Sequence, residues 1–204
     1  MSFHIRTAGY VVSSLGLLLG VLMARATLFH QMHDLGLAAW FGGTLANAVA
    51  LNPAASAGGY SSRVGAVANE GWNRWTPVNA AAIGVHLIGA AGLLKHDLGR
   101  TAAQKGVPTM AITKTVLTAA ALGVTAYSRV LGKKVSEHHA VPASDGTTPN
   151  AATPPEVAKA QKQLTVLQWA VPALTGGLAA IGAYASEQYR PEEVTKGLVQ
   201  RLRP

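Results

Sequence analysis

Long apolar stretches alternate with short polar intervals along this chain, and five of them approach the length of a bilayer-crossing helix. They cover residues 8–24, 35–51, 78–94, 112–131 and 164–185. A hydrocarbon core of about 30 Å takes roughly 17–25 helical residues to cross. No proline or glycine separates the first stretch from the second, yet one helix from Ala8 to Leu51 would run about 66 Å at 1.5 Å per residue. A chain reversal is therefore expected within Arg25–Asp34, the only polar interval available, and Asn52-Pro53 ends the second span. An Ala-, Ser- and Gly-rich loop is expected to follow. Trp72 and Trp75, about one helical turn apart, are placed to anchor at the interface, with Thr76-Pro77 as N-cap and first-turn proline of the third span.

The third span stops at Lys95-His96-Asp97, and the fourth is closed by Lys133 and Lys134, with Lys114 and Arg129 near enough to its ends to snorkel. Residues 135–155 hold four of the ten prolines and little that could form a core, so a flexible loop is expected. A short polar helical lead, 156–163, enters the fifth span, which carries Trp169 near one end and Pro172 inside, where a kink is expected. The tail, 186–204, is basic and has amphipathic spacing at Val194, Leu198 and Leu202 that suits a membrane surface. The expected fold class is all-α: a single polytopic membrane bundle of four to five transmembrane helices. Four applies if the first segment is a signal peptide, for which the basic start and Ala24-Arg25-Ala26 speak; Gly16 and Gly20, in GxxxG spacing, favour a retained packing helix.

Composition fits a membrane location. Only 13% of residues are charged against 49% hydrophobic, about half the charge of an average soluble protein. Without cysteine there are no disulfides, thiolate ligands or thiol catalysis. The net charge of +8 falls between apolar segments and forms no basic stripe interleaved with aromatics, so it reads as topology signal and not as a nucleic-acid surface. Basic residues divide almost evenly between the two sides. Short loops count most, which favours the Lys95–Lys114 connection and the C-terminus as cytoplasmic, in a bacterial inner membrane.

The candidate chemistry lies in the histidines. His30, His33 and Asp34 have i, i+3, i+4 spacing, which places them on one helix face, and antiparallel spans would bring them near His96 and Asp97. Imidazole with carboxylate suits zinc, copper(II), iron or nickel; the competing reading is a set of polar caps at the interface. His86 is intramembrane and so a candidate functional group. A haem held from both sides by two histidines is conceivable, but His33 sits about 12 Å by helix rise from the middle of its own span. A neutral His86 bonded to Asn47, Asn79, Gln168 or a backbone carbonyl is the alternative. Walker A, dinucleotide GxGxxG, GxSxG and HExxH motifs are absent, and none of the nine acids falls in the middle of a span, which argues against an enzyme or a carboxylate-driven transporter.

Trp40-Phe41-Gly42-Gly43 sets a bulky anchor beside a smooth helix face. With His33 before it, this resembles the H-x(6,7)-W-x-G-G pattern in the first helix of small four-helix membrane families that include copper-resistance D-type proteins. GWNRWTPVNAAAIG and KTVLTAAALGVTAYSR resemble uncharacterised conserved membrane proteins of actinobacteria, which implies topology and no particular activity. The function expected is that of a non-enzymatic accessory or assembly subunit of a larger inner-membrane complex, in contact with lipid and with protein partners or further copies of itself, and with no cofactor. The alternative is metal or haem handling through His30, His33, Asp34 and His96, and a third is a small oligomeric transporter.

Overall fold

The structure, a computed structural model, describes residues 26–57, 59–101, 107–138 and 141–187. The expected first span, its Gly16 and Gly20, and the tail beyond residue 187 lie outside them. Among the described residues the fold is all-helical, with one isolated bridge between Ala143 and Pro149. Helix α1 covers 26–46 and continues through a π-helical turn, Asn47–Leu51, into a last turn, Asn52–Ala54. The others are α2, Ser61–Thr101, α3, Val107–Ser136, and α4, Pro155–Glu187. Three segments are long and apolar enough to cross a membrane: Ser61–His96, Thr109–Ser136 and Pro155–Tyr184.

Two expectations about boundaries change. Residues 26–34 are helical and continuous with the rest of α1, so no reversal falls there; the polar side chains at 30, 33 and 34 ride on a helix that their burial pattern tolerates. Nor does a helix begin at Thr76-Pro77. Helix α2 starts at Ser61 and carries Pro77 in its interior. A proline there removes one backbone donor, and locally the Thr76 hydroxyl donates to the Trp72 carbonyl at 2.7 Å. The Gly- and Ala-rich stretch before it, which reads as loop by hydropathy, is helical because its small side chains pack against α1 and the 141–154 segment.

Helices α1 and α2 form an antiparallel hairpin whose register is visible in its glycines. Phe29 covers Gly92, Gly36 lies on the backbone of Ala82 and His86, Gly43 holds the Trp75 ring, and Leu51 covers Gly71. Trp75 is thus an interhelix packing group, and its indole Nε1 is buried without a partner. A Cβ at Gly42 would meet nothing within 4 Å, so of the two neighbouring glycines Gly43 faces α2.

A central core joins all four helices through Leu37 and Trp40 of α1, Ile83 of α2, Ala121 of α3, and Val171 and Leu178 of α4. At one end, Leu131 and Val135 of α3 meet Val157 and Ala160 of α4 beneath Val141. The 135–155 segment, expected to be flexible, has a defined course in the described residues. Asp145 Oδ1 accepts from the backbone N–H groups of Thr147 and Thr148 at 2.7 and 2.8 Å, an Asx-type turn. Val141 and Ala143 are buried, and the Thr165 hydroxyl donates to the Thr147 carbonyl at 2.8 Å. Asn52, 1% exposed, ties this end together. It donates to Gln168 Oε1 at 2.8 Å, accepts from Trp72 Nε1 at 3.0 Å, and its carbonyl receives the Gly146 N–H at 3.0 Å.

Candidate functional site

The glycine contacts of the α1–α2 hairpin create its chemical centre. His33-Asp34-Leu35-Gly36 on α1 and His86-Leu87-Ile88-Gly89 on α2 share an H-x-x-G spacing, and antiparallel packing makes them reciprocal: Gly36 lies on the backbone of His86, and Gly89 on the backbone of His33. With no Cβ at either glycine the two backbones approach closely, and each histidine ring is held beside the other helix. His33 and His86 meet with ring centroids 4.4 Å apart at an interplanar angle of 44°. His86 is fully buried and His33 nearly so.

Hydrogen bonding orients both rings. His86 Nδ1 lies 3.0 Å from the carbonyl oxygen of His33. A carbonyl only accepts, so Nδ1 carries the proton, and in the neutral ring Nε2 is left with its lone pair. That Nε2 is buried and has no hydrogen-bond partner. His33 Nδ1 lies 2.8 Å from Asp34 Oδ1, a carboxylate whose side chain is 71% exposed. The series Asp34, His33, His86 therefore leads from an exposed carboxylate to an enclosed imidazole. Trp40, also fully buried, presents its ring to His86 at 6.1 Å in an edge arrangement and donates from Nε1 to Thr125 Oγ1 on α3 at 3.2 Å.

The four-residue metal set expected from the sequence is not brought together. Among the described residues no group of three or more His, Asp or Glu side chains is placed to hold a metal ion. His30 and Asp34 are exposed where His33 is buried, so the i, i+3, i+4 face is divided between solvent side and interior. His96 is exposed and lies seven residues beyond Gly89, the residue opposite His33, which is about 10 Å further along the helix.

The structure instead pairs His33 with His86: with α1 helical from residue 26 no reversal holds His33 at the membrane surface, and it stands level with His86. Of the partners considered for His86, the backbone carbonyl is the one used. Gln168 serves Asn52, and Asn47 donates to the Gly43 carbonyl at 2.8 Å. The repeated H-x-x-G is the sequence signal that could have found the pair.

The arrangement can hold a proton, or a small electrophile, at an enclosed imidazole nitrogen. At 4.4 Å the two rings are in direct van der Waals contact, so no porphyrin lies between them in this arrangement. No family model matches this chain, and neither a curated protein nor a solved structure matches it.

Proposed function

We propose that this chain is a non-enzymatic integral membrane protein that acts as an accessory or assembly subunit of a larger complex in the bacterial cell membrane. The observation that supports this is an inverted distribution of side chains. The interior holds alanine, histidine, asparagine and threonine side chains alongside a limited set of valines, leucines and Trp40. Large apolar groups face outward on every helix: Leu35 on α1, Ile88 on α2, Ile112, Val116 and Val130 on α3, Val166 on α4. In water such a surface invites aggregation; in lipid it is the favourable arrangement, and small interior residues are what close helix packing there requires. A cytoplasmic C-terminus belongs to the same reading, supported by the basic Lys95–Lys114 connection. The test is extraction from native membranes in mild detergent under stoichiometric pull-down. A defined set of partners is expected, and a protein that emerges alone would overturn the assembly role.

A second reading, cation handling, has a specific observation in its favour. Histidines that ligate metals donate their other ring nitrogen to a carboxylate or backbone carbonyl, and both His33 and His86 do so. On this reading His33 and His86 would carry the site in place of the His30, His33, Asp34 and His96 set. Elemental analysis of purified protein, with His33→Ala and His86→Ala beside it, tests this. Metal retained by the parent and lost in both variants is expected; metal-free protein after reconstitution with zinc would remove the reading.

A further inference from the structure

A second built feature lies at the opposite end of the bundle from the hairpin's His30 end. One face of α4, with Tyr127 of α3 beside it, lines an open, shallow groove of about 720 Å³: Ala158, Val166 and Leu167 are apolar, and Lys159, Lys162 and Gln163 lie on its wall. Its lining is overwhelmingly apolar. Tyr127 and Val166 are exposed, and the Tyr127 hydroxyl donates to Gln163 Oε1 at 2.8 Å, linking the two helices across the groove.

The lysines give the groove its polarity. Three residues apart on α4, they share one face. Among the described residues the ion pairs are His33–Asp34, Arg74–Glu70 and His138–Glu156, so neither lysine has a carboxylate partner there. Glu156, the acid in the first turn of α4, is engaged with His138 at 3.1 Å. Both lysines belong to the first turns of the Pro155–Tyr184 segment, and the exposed Val166 and Trp169 follow directly. Two lysines with no ion-pair partner among the described residues therefore sit at the edge of the groove, where a spanning helix would meet headgroups.

We propose that this groove is a binding site for an anionic phospholipid, with the phosphate at Lys159 and Lys162 and an acyl chain lying along Val166 and Leu167. A zwitterionic lipid would satisfy the trough but offers no net charge to the lysine pair; a bare phosphate would satisfy the lysines and leave the trough empty. The inference rests on the membrane reading above.

The experiment uses the full chain in nanodiscs of phosphatidylcholine containing a minority of phosphatidylglycerol, followed by release into mild detergent and native mass spectrometry. The parent should retain phosphatidylglycerol in preference to phosphatidylcholine. Each lysine near a charged headgroup is worth roughly a fivefold change in affinity, so Lys159→Gln with Lys162→Gln should weaken retention about 30-fold. Lys133→Gln with Lys134→Gln removes the same charge from the end of α3, outside the groove, and should leave retention within about twofold of the parent. Leu167→Trp, which fills the trough beyond the lysines and keeps both of them, should also abolish retention. Circular dichroism and size-exclusion profiles matching the parent establish that each variant has folded. Equal retention of the two lipids, or an equal loss in both lysine pairs, overturns the proposal while leaving the membrane reading intact. A chain that does not enter nanodiscs at all fails the membrane reading instead.

Discussion

Replacing Gly36 by alanine tests the hairpin contact on which the histidine pair depends. A methyl group at Gly36 would lie 2.5 Å from the Ala82 carbonyl oxygen and 2.5 Å from the His86 nitrogen. Ordinary heavy-atom contact is about 3.5–4.0 Å, so the helices must separate by roughly 1 Å. The atoms met are backbone, which cannot swing aside. Overpacking of this kind costs about 1–3 kcal/mol, against a gain of about 0.8–1.0 kcal/mol from replacing glycine by alanine within a helix. The net expectation is a loss of about 0–2 kcal/mol, toward the upper end because the atoms met are backbone. Gly42→Ala, six residues along the same helix, is the internal control: nothing lies within 4 Å of its added methyl, so only the propensity gain, up to about 1 kcal/mol, remains. Reversible unfolding in mixed detergent micelles, followed by tryptophan fluorescence and circular dichroism, reads both. One chemical change should thus move stability in opposite directions at two positions of one helix. Gly89→Ala, which meets the Phe29 carbonyl and the His33 backbone, should resemble Gly36→Ala, and the double variant should be less than additive because each opens the same contact. A Gly36→Ala protein as stable as the parent, or equal shifts for Gly36→Ala and Gly42→Ala, would refute the account of close backbone approach.

Three further substitutions probe other parts of the fold. Asn52→Ala strips partners from Gln168 and Trp72, and leaving such groups unpaired should lower unfolding stability by about 2–4 kcal/mol; a loss under 1 kcal/mol in the same micelle titration would count against the network. Gln161→Leu should act in the opposite sense: the Gln161 side chain is fully buried and neither amide atom has a partner, so an apolar replacement should raise stability by about 1–3 kcal/mol, and a destabilised variant would mean that the amide is satisfied in solution. Asp145→Ala removes the acceptor for two backbone N–H groups and should cost about 1–2 kcal/mol locally, read as faster proteolytic cleavage within 141–154; an unchanged digestion pattern would show that the burial of Val141 and Ala143 holds the segment without the turn.

Helical class and the third, fourth and fifth apolar segments were legible because hydropathy over a window of membrane length needs no tertiary information. The start of α2 was not. Proline at a first helical position and proline inside a helix give the same local sequence, and the segment from Ser61 to Trp75 owes its helix to packing of small residues. In the 135–155 segment composition hides the contacts: its prolines suggest a loop without a core, yet Val141, Ala143, Thr147 and Thr153 are buried and Asp145 caps a turn among the described residues. The site was half legible. His86 stood out as an enclosed imidazole, while its partner was lost to an inference about chain reversal that depended on where a helix starts, the least certain quantity in any reading of boundaries. Gly36 and Gly89 marked the missing contact, but a glycine in an alanine-rich helix announces close approach without saying to what.

The same glycines bear on the order in which the bundle can assemble. Every contact along the α1–α2 seam, from Phe29 on Gly92 to Leu51 on Gly71, is made between the first two described helices, whereas Trp40 needs Thr125 and the central core needs Val171 and Leu178. Chains fold from the N-terminus as they are synthesised, and helices in a bilayer are inserted before they associate. The hairpin can therefore close, with its two histidines already paired, while α4 is still being translated, leaving the later helices to dock on Trp40 and the central core.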